Sequence, residues 1–129
     1  MFTFIKSKNV KFPPSKHIQL DKHELTDELE IFWFREKSNK AVGAVYVYLD
    51  DKQSAYISNL SVFEDARNKG LGTEMLNYLI KFCQYNKYKQ VFLRVINDSW
   101  MHEWYKRNGF YDWYDDNEYS EFIWMKRII

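Results

Sequence analysis

The segment Arg67-Asn68-Lys69-Gly70-Leu71-Gly72-Thr73 sets two bases, two glycines and a hydroxyl just ahead of a helical pattern. Residues of these types at a helix mouth can hold an anion. The first N–H groups of a helix have no carbonyl partner within it, and the macrodipole adds positive potential. Glycines let a phosphate approach the main chain closely, while Arg67 and Lys69 contribute formal charge. A Gly-containing turn with solvated bases accounts for the same spacing, so both readings stand at this point. Other familiar patterns fail. Met75 occupies the third-glycine position of a dinucleotide fingerprint, and no Gly-Lys-Ser/Thr follows as in a Walker loop. His17, His23, His102 and Cys83 never fall at metal-ligand spacing, so no metal site is expected. No Gly-x-Ser-x-Gly elbow is present.

The elements around the segment follow from hydrophobic periodicity. Leu71, Met75, Leu76, Leu79, Ile80 and Cys83 recur at helical spacing and predict a helix over about 70–85. Cys83 then faces inward as a buried structural thiol, since nothing nearby would stabilise its thiolate. Upstream, Glu28–Glu36 and Ala41–Leu49 are β-rich runs joined by a polar turn, and a third run covers Ala55–Phe63. Pro13-Pro14 forbids regular structure and isolates the apolar start Phe2–Ile5. Residues 16–26 are ambiguous, with a short helix as one option. Downstream, Gln90–Ile96 reads as a strand. Asn97-Asp98-Ser99 offers N-caps for a helix to Arg107, which Asn108-Gly109 stops. Phe110–Tyr114 and Tyr119–Arg127 close the chain as strands about the turn Asp115-Asp116-Asn117. The expectation is one α/β (α+β) domain over residues 1–129, with a mixed sheet.

Composition excludes several classes. The mass of 15.8 kDa suits a single domain, and 46% hydrophobic residues argue against disorder. The longest apolar run, Ala41–Leu49, is too short to span a bilayer, and the start lacks a signal peptide. A single cysteine excludes an internal disulfide framework. A cytoplasmic protein is expected. Nineteen bases balance eighteen acids, which argues against a dedicated nucleic-acid or membrane-surface protein. Charge is nonetheless polarised: residues 1–20 carry only bases, and 111–121 only acids (Asp112, Asp115, Asp116, Glu118, Glu121). Solvated loops account for that asymmetry, as does a partner surface. Aromatic residues reach 19%, and most are expected in the core.

Arg67-Asn68-Lys69-Gly70-Leu71-Gly72 resembles motif A of the GNAT N-acetyltransferase superfamily, whose signature Arg/Gln-x-x-Gly-x-Gly/Ala follows the fourth strand. The surrounding Ser58–Ile80 is similar to that family's strand, loop and helix. Asn97–Phe110 resembles its next helix, which ends in Tyr-x-x-x-Gly-Phe; Tyr105, Gly109 and Phe110 match. Trp124-Met125-Lys126 is similar to its final strand. The resemblance runs from Glu28 to the C-terminus, about four fifths of the 129 residues.

The resemblance implies a mostly antiparallel sheet flanked by helices, and transfer of an acetyl group from acetyl-coenzyme A to an amine. It implies that the backbone of Leu60, Ser61 and Val62 pairs with the pantetheine arm, with a local β-bulge freeing an N–H to polarise the thioester carbonyl. The pyrophosphate would sit on the amides of Asn68, Lys69, Gly70, Leu71, Gly72 and Thr73, with Arg67 alongside. Asn97 would contact the pantetheine. Tyr105 would be the general acid that protonates the leaving thiolate, although an amphipathic core residue fits its spacing too. The strand carboxylate that family members often use as a base is absent; Glu30 and His102 are weak substitutes, and a water chain is the default. Only about 27 residues precede Glu28, so one or both helices preceding the family's second strand are expected to be missing or shrunken. That would open the acceptor side to a lysine or N-terminus of a protein, and leave room for a partner subunit, as in a homodimer. A non-catalytic binding or regulatory module that retains the cradle is the alternative.

Overall fold

The computed structural model describes residues 3–7, 9–15, 17–115 and 121–129. Alternating apolar residues build one sheet. Its strands are β1 (Phe4–Ile5), β2 (Ile18–Leu25), β3 (Glu30–Glu36), β4 (Ala41–Asp50), β5 (Ser54–Val62), β6 (Gln90–Ile96), β7 (Tyr111–Asp115) and β8 (Phe122–Ile128). Helices α1 (Leu71–Tyr85) and α2 (Trp100–Arg107) follow β5 and β6. The sheet order is β2-β3-β4-β5-β6-β8-β7, with β1 against the end of β4. All neighbours are antiparallel except β5 and β6. The α+β, mostly antiparallel expectation is met.

Residues 18–25 form a strand and not the optional short helix. Asp21 is an extra residue between Leu20 and Lys22 in the pairing with β3, and this bulge breaks the period-two pattern. No α-helix precedes α1 among the described residues. The turn proposed at 115–117 lies largely outside the described residues.

Both helices pack on the sheet face that carries Val45, Val47, Ile57, Val91, Leu93 and Met125. The aromatic residues divide between two faces, which departs from the core expectation. Phe32 and Phe34 of β3, with Phe82 of α1 and Tyr105 of α2, are buried between the sheet and the helices. On the opposite face a row of rings crosses the strands: Phe4–Tyr48 at 4.7 Å, Tyr48–Tyr56 at 5.9 Å and Tyr56–Trp124 at 5.4 Å between centroids.

Two irregularities shape the site. β5 and β6 pair only at Ser54–Gln90, Ala55–Val91 and Tyr56–Phe92, although β5 runs on to Val62 and β6 to Ile96. The strands therefore splay toward their C-terminal ends. Just past that point Ser58 bulges out of the β4–β5 ladder, between Ile57 (opposite Val47) and Asn59 (opposite Tyr46).

Candidate active site

The connection from β5 to α1 is fixed at both ends. Arg67 Nε donates to the Val62 carbonyl at 3.0 Å, and Ala66 is fully buried. Asn68 and Gly70 take left-handed backbone conformations, with φ of 64° and 75°. Glycine adopts this region freely and Asn tolerates it, so the sequence matches the turn. Gly70 is the N-cap of α1 and has no side chain to satisfy the helix terminus. The first N–H to close onto the helix is that of Glu74, to the Gly70 carbonyl at 3.3 Å. The N–H groups of Leu71, Gly72 and Thr73 remain for a ligand or water.

These amides border an open cleft of about 500 Å³. One wall is Leu60–Val62, Arg67, Asn68 and Gly70–Thr73; the other is Trp100, Met101 and Trp104 of α2. Gly72 keeps the corner between them open. A Cβ there would lie 3.4 Å from Val62 Cγ2, 3.6 Å from Trp104 Cζ2 and 4.0 Å from Leu60 Cδ2. A hollow of about 470 Å³ opens beside Glu30, where β1 meets the β2–β3 turn, but no helix terminus or splayed strand borders it.

Most of the residues singled out in the sequence thus share this cleft. Three do not line it. Lys69 is exposed on the turn, and Asn97 is exposed with its N–H donated to the Glu121 carbonyl at 2.7 Å. Tyr105 is 3% exposed, its ring edge-on to Trp104 at 4.8 Å and to Phe110 at 5.3 Å. Burial pushes its phenol well above the ordinary tyrosine value. The α2 wall was not legible in the sequence. Trp100, Met101 and Trp104 fall within the helix expected up to Arg107, where nothing in the sequence set them apart as a wall.

The two substitute bases are structural. His102 is buried; its Nδ1 accepts the Asp98 N–H at 3.0 Å and its Nε2 lies 2.7 Å from Asp112 Oδ1. With Nδ1 accepting, the ring proton sits on Nε2 and is given to Asp112. Glu30, also buried, accepts from the Ser7 N–H at 2.9 Å, the Ser7 hydroxyl at 2.6 Å and His23 Nε2 at 2.7 Å. Burial alone would raise the Glu30 pKa, but the His23 and Ser7 hydrogen bonds outweigh it and hold the carboxyl below its ordinary value. Neither group is free to take a proton from an acceptor.

The splayed strand pair and the glycine-capped helix terminus together leave main-chain groups of β5 and α1 open along one wall of the cleft. The profile of the Acetyltransferase (GNAT) family matches residues 3–110, starting well before Glu28. The chain belongs to the GNAT acetyltransferase family. Solved structures agree in fold. An IAA acetyltransferase from Bacillus cereus superimposes with a TM-score of 0.67 at 14% identity, over 79% of each chain. A GNAT family acetyltransferase from Elizabethkingia anophelis, with acetyl-CoA bound, gives 0.66 at 20% identity over 79% of this chain and 77% of its own. The ribosomal-protein alanine N-acetyltransferase from Escherichia coli gives 0.66 at 18% identity over 81% and 72%. No curated protein matches the sequence.

Proposed function

We propose that the protein is an N-acetyltransferase that moves the acetyl group of acetyl-coenzyme A directly to an amine. The observation that carries this reading is the shared cleft: the splayed stretch of β5 and the open terminus of α1 form one wall. Leu60, Ser61 and Val62 offer main-chain groups to the pantetheine arm as an added strand would. The amides from Asn68 to Thr73, with Arg67 and Lys69, hold the pyrophosphate. The bulge at Ser58 supports a displaced oxyanion donor, two residues before Leu60.

The acyl donor supplies an activated thioester. The chain supplies orientation and proton traffic. An amine attacks the acetyl carbon, the C–S bond breaks, and the departing thiolate takes the proton of the Tyr105 phenol. With Glu30 and His102 engaged, water removes the acceptor's proton. The helix-free sheet face leaves the acceptor side accessible, which suits a lysine or an N-terminus of a protein and leaves room for a partner subunit. A cytoplasmic setting accords with these substrates; no described helix is long and apolar enough to cross a membrane.

A second reading has its own support. β5 carries no carboxylate and Tyr105 does not line the cleft, as expected of a non-catalytic relative that binds the donor and regulates a partner. Thiol release from acetyl-coenzyme A against panels of amines, peptides and aminoglycosides separates the two. Acceptor-dependent release supports the enzyme; binding without release supports the module; no binding overturns both.

A further inference from the structure

The two walls of the cleft differ in chemistry. Arg67, Asn68 and Gly70 present charge and amides, whereas α2 presents Trp100, Met101 and Trp104. Trp100 is 74% exposed, well beyond the next large apolar residue, Ile128 at 59%. Nothing in folding calls for it: the buried positions of α2 are His102 and Tyr105. Trp104, one turn further along, sits deep, close to the corner that Gly72 keeps open. Trp100 lies toward the start of the helix, at the rim. A ligand that fits both walls has a phosphate next to a flat, weakly polar ring.

We propose that Trp100 is a stacking platform for the nucleobase of the donor. This rests on acetyl-coenzyme A being that donor. The arm enters between Leu60–Val62 and Trp104, the pyrophosphate lies on the α1 terminus, and the adenine beyond it meets the Trp100 face at the rim. Stacking of this kind is tolerant of base identity and needs no hydrogen bond. It makes the nucleotide half of the donor a part of the recognition. The protein therefore takes acetyl groups from free acetyl-coenzyme A and discriminates against a pantetheine arm tethered to a carrier protein, which brings no base to the rim.

Calorimetric titration of the parent, Trp100→Ala and Trp100→Phe with acetyl-coenzyme A and with acetyl-4′-phosphopantetheine tests this. Trp100→Ala should weaken acetyl-coenzyme A by roughly 5- to 150-fold, the range of base–aromatic stacking. Its affinity for the phosphopantetheine thioester should stay within about twofold of the parent's, and Trp100→Phe should recover most of the loss. Circular dichroism should report all three folded, since the side chain is exposed. Equal affinity of parent and Trp100→Ala for acetyl-coenzyme A overturns the platform, as does an equal loss for both ligands, which would put Trp100 on the arm. A parent that binds no acetyl-coenzyme A removes the donor assignment itself, a result distinct from either.

Discussion

A phenol that gives its proton to a departing thiolate must be neutral beforehand; Tyr105 is, and burial, by raising its pKa, also makes it a weaker acid than a free tyrosine. Tyr105→Phe keeps the ring contacts with Trp104 and Phe110 and deletes only the hydroxyl. Loss of a positioned general acid typically lowers a rate by roughly 10²–10⁴-fold. Single-turnover rates should fall by that order with donor affinity unchanged; an unaltered rate removes Tyr105 from the chemistry. Glu30 makes a different prediction. Its folded pKa is depressed, so its contribution to stability is complete above the unfolded value, about 4.3, and is lost as pH falls through the folded one. The parent's Tm should drop between about pH 5 and pH 3 more steeply than that of Glu30→Gln. Matching slopes would assign the acid sensitivity to other carboxylates. At this scale the sequence identified the cradle by type and spacing and ranked Glu30 and His102 only as weak bases, which their engagement agrees with; it did not give the groups that hold them. Their partners Ser7, His23 and Asp112 come from other elements, and only tertiary structure joins them; Asp98 is local, in the turn that leads into α2.

The elements that frame the cleft depend on two glycines. Gly72→Asp would extend a carboxylate from the corner beside Val62 and Trp104, where a Cβ makes ordinary contact, so the variant should fold. Acetyl-coenzyme A should raise the Tm of the parent and not of this variant, because only the parent binds it; equal shifts would move the pyrophosphate elsewhere. Gly43 on β4 is tighter. A Cβ there would stand 2.2 Å from the Ser61 carbonyl oxygen and 2.9 Å from Met75, so the β4–β5 ladder and α1 must shift. Gly43→Ala should cost about 1–3 kcal/mol in denaturant unfolding. A neutral result would mean that the strands yield freely at this point. Helix α1 was legible because eight of its side chains are buried at helical spacing after the glycine that opens it. β2 was not, because Asp21 interrupts the alternation and polar residues dominate this edge strand.

At the scale of the molecule, Ser7, Lys11 and Phe12 are tied down at residues that do not line the cleft. Ser7 holds Glu30, Lys11 and Asn86 exchange two hydrogen bonds of 2.8 Å, and Phe12 packs on His23 and Phe82. Removing residues 1–12 takes both Ser7 hydrogen bonds from the buried Glu30 carboxylate, leaving it His23 alone, and should cost roughly 2–4 kcal/mol of stability, read by urea unfolding, while acetyl-coenzyme A affinity holds. A loss of affinity would tie this strap to the cleft.

The sheet is continuous on paper, yet three residue pairs are all the main-chain ladder that joins β1–β5 to β6–β8. Mechanically it is two plates with a short seam, and the open end of the seam is the cleft. A ligand that bonds along the free edge of β5 lengthens the seam. Slow amide exchange should then spread to β6 and β8, well beyond the residues the ligand touches, as two plates that could open separately begin to open together.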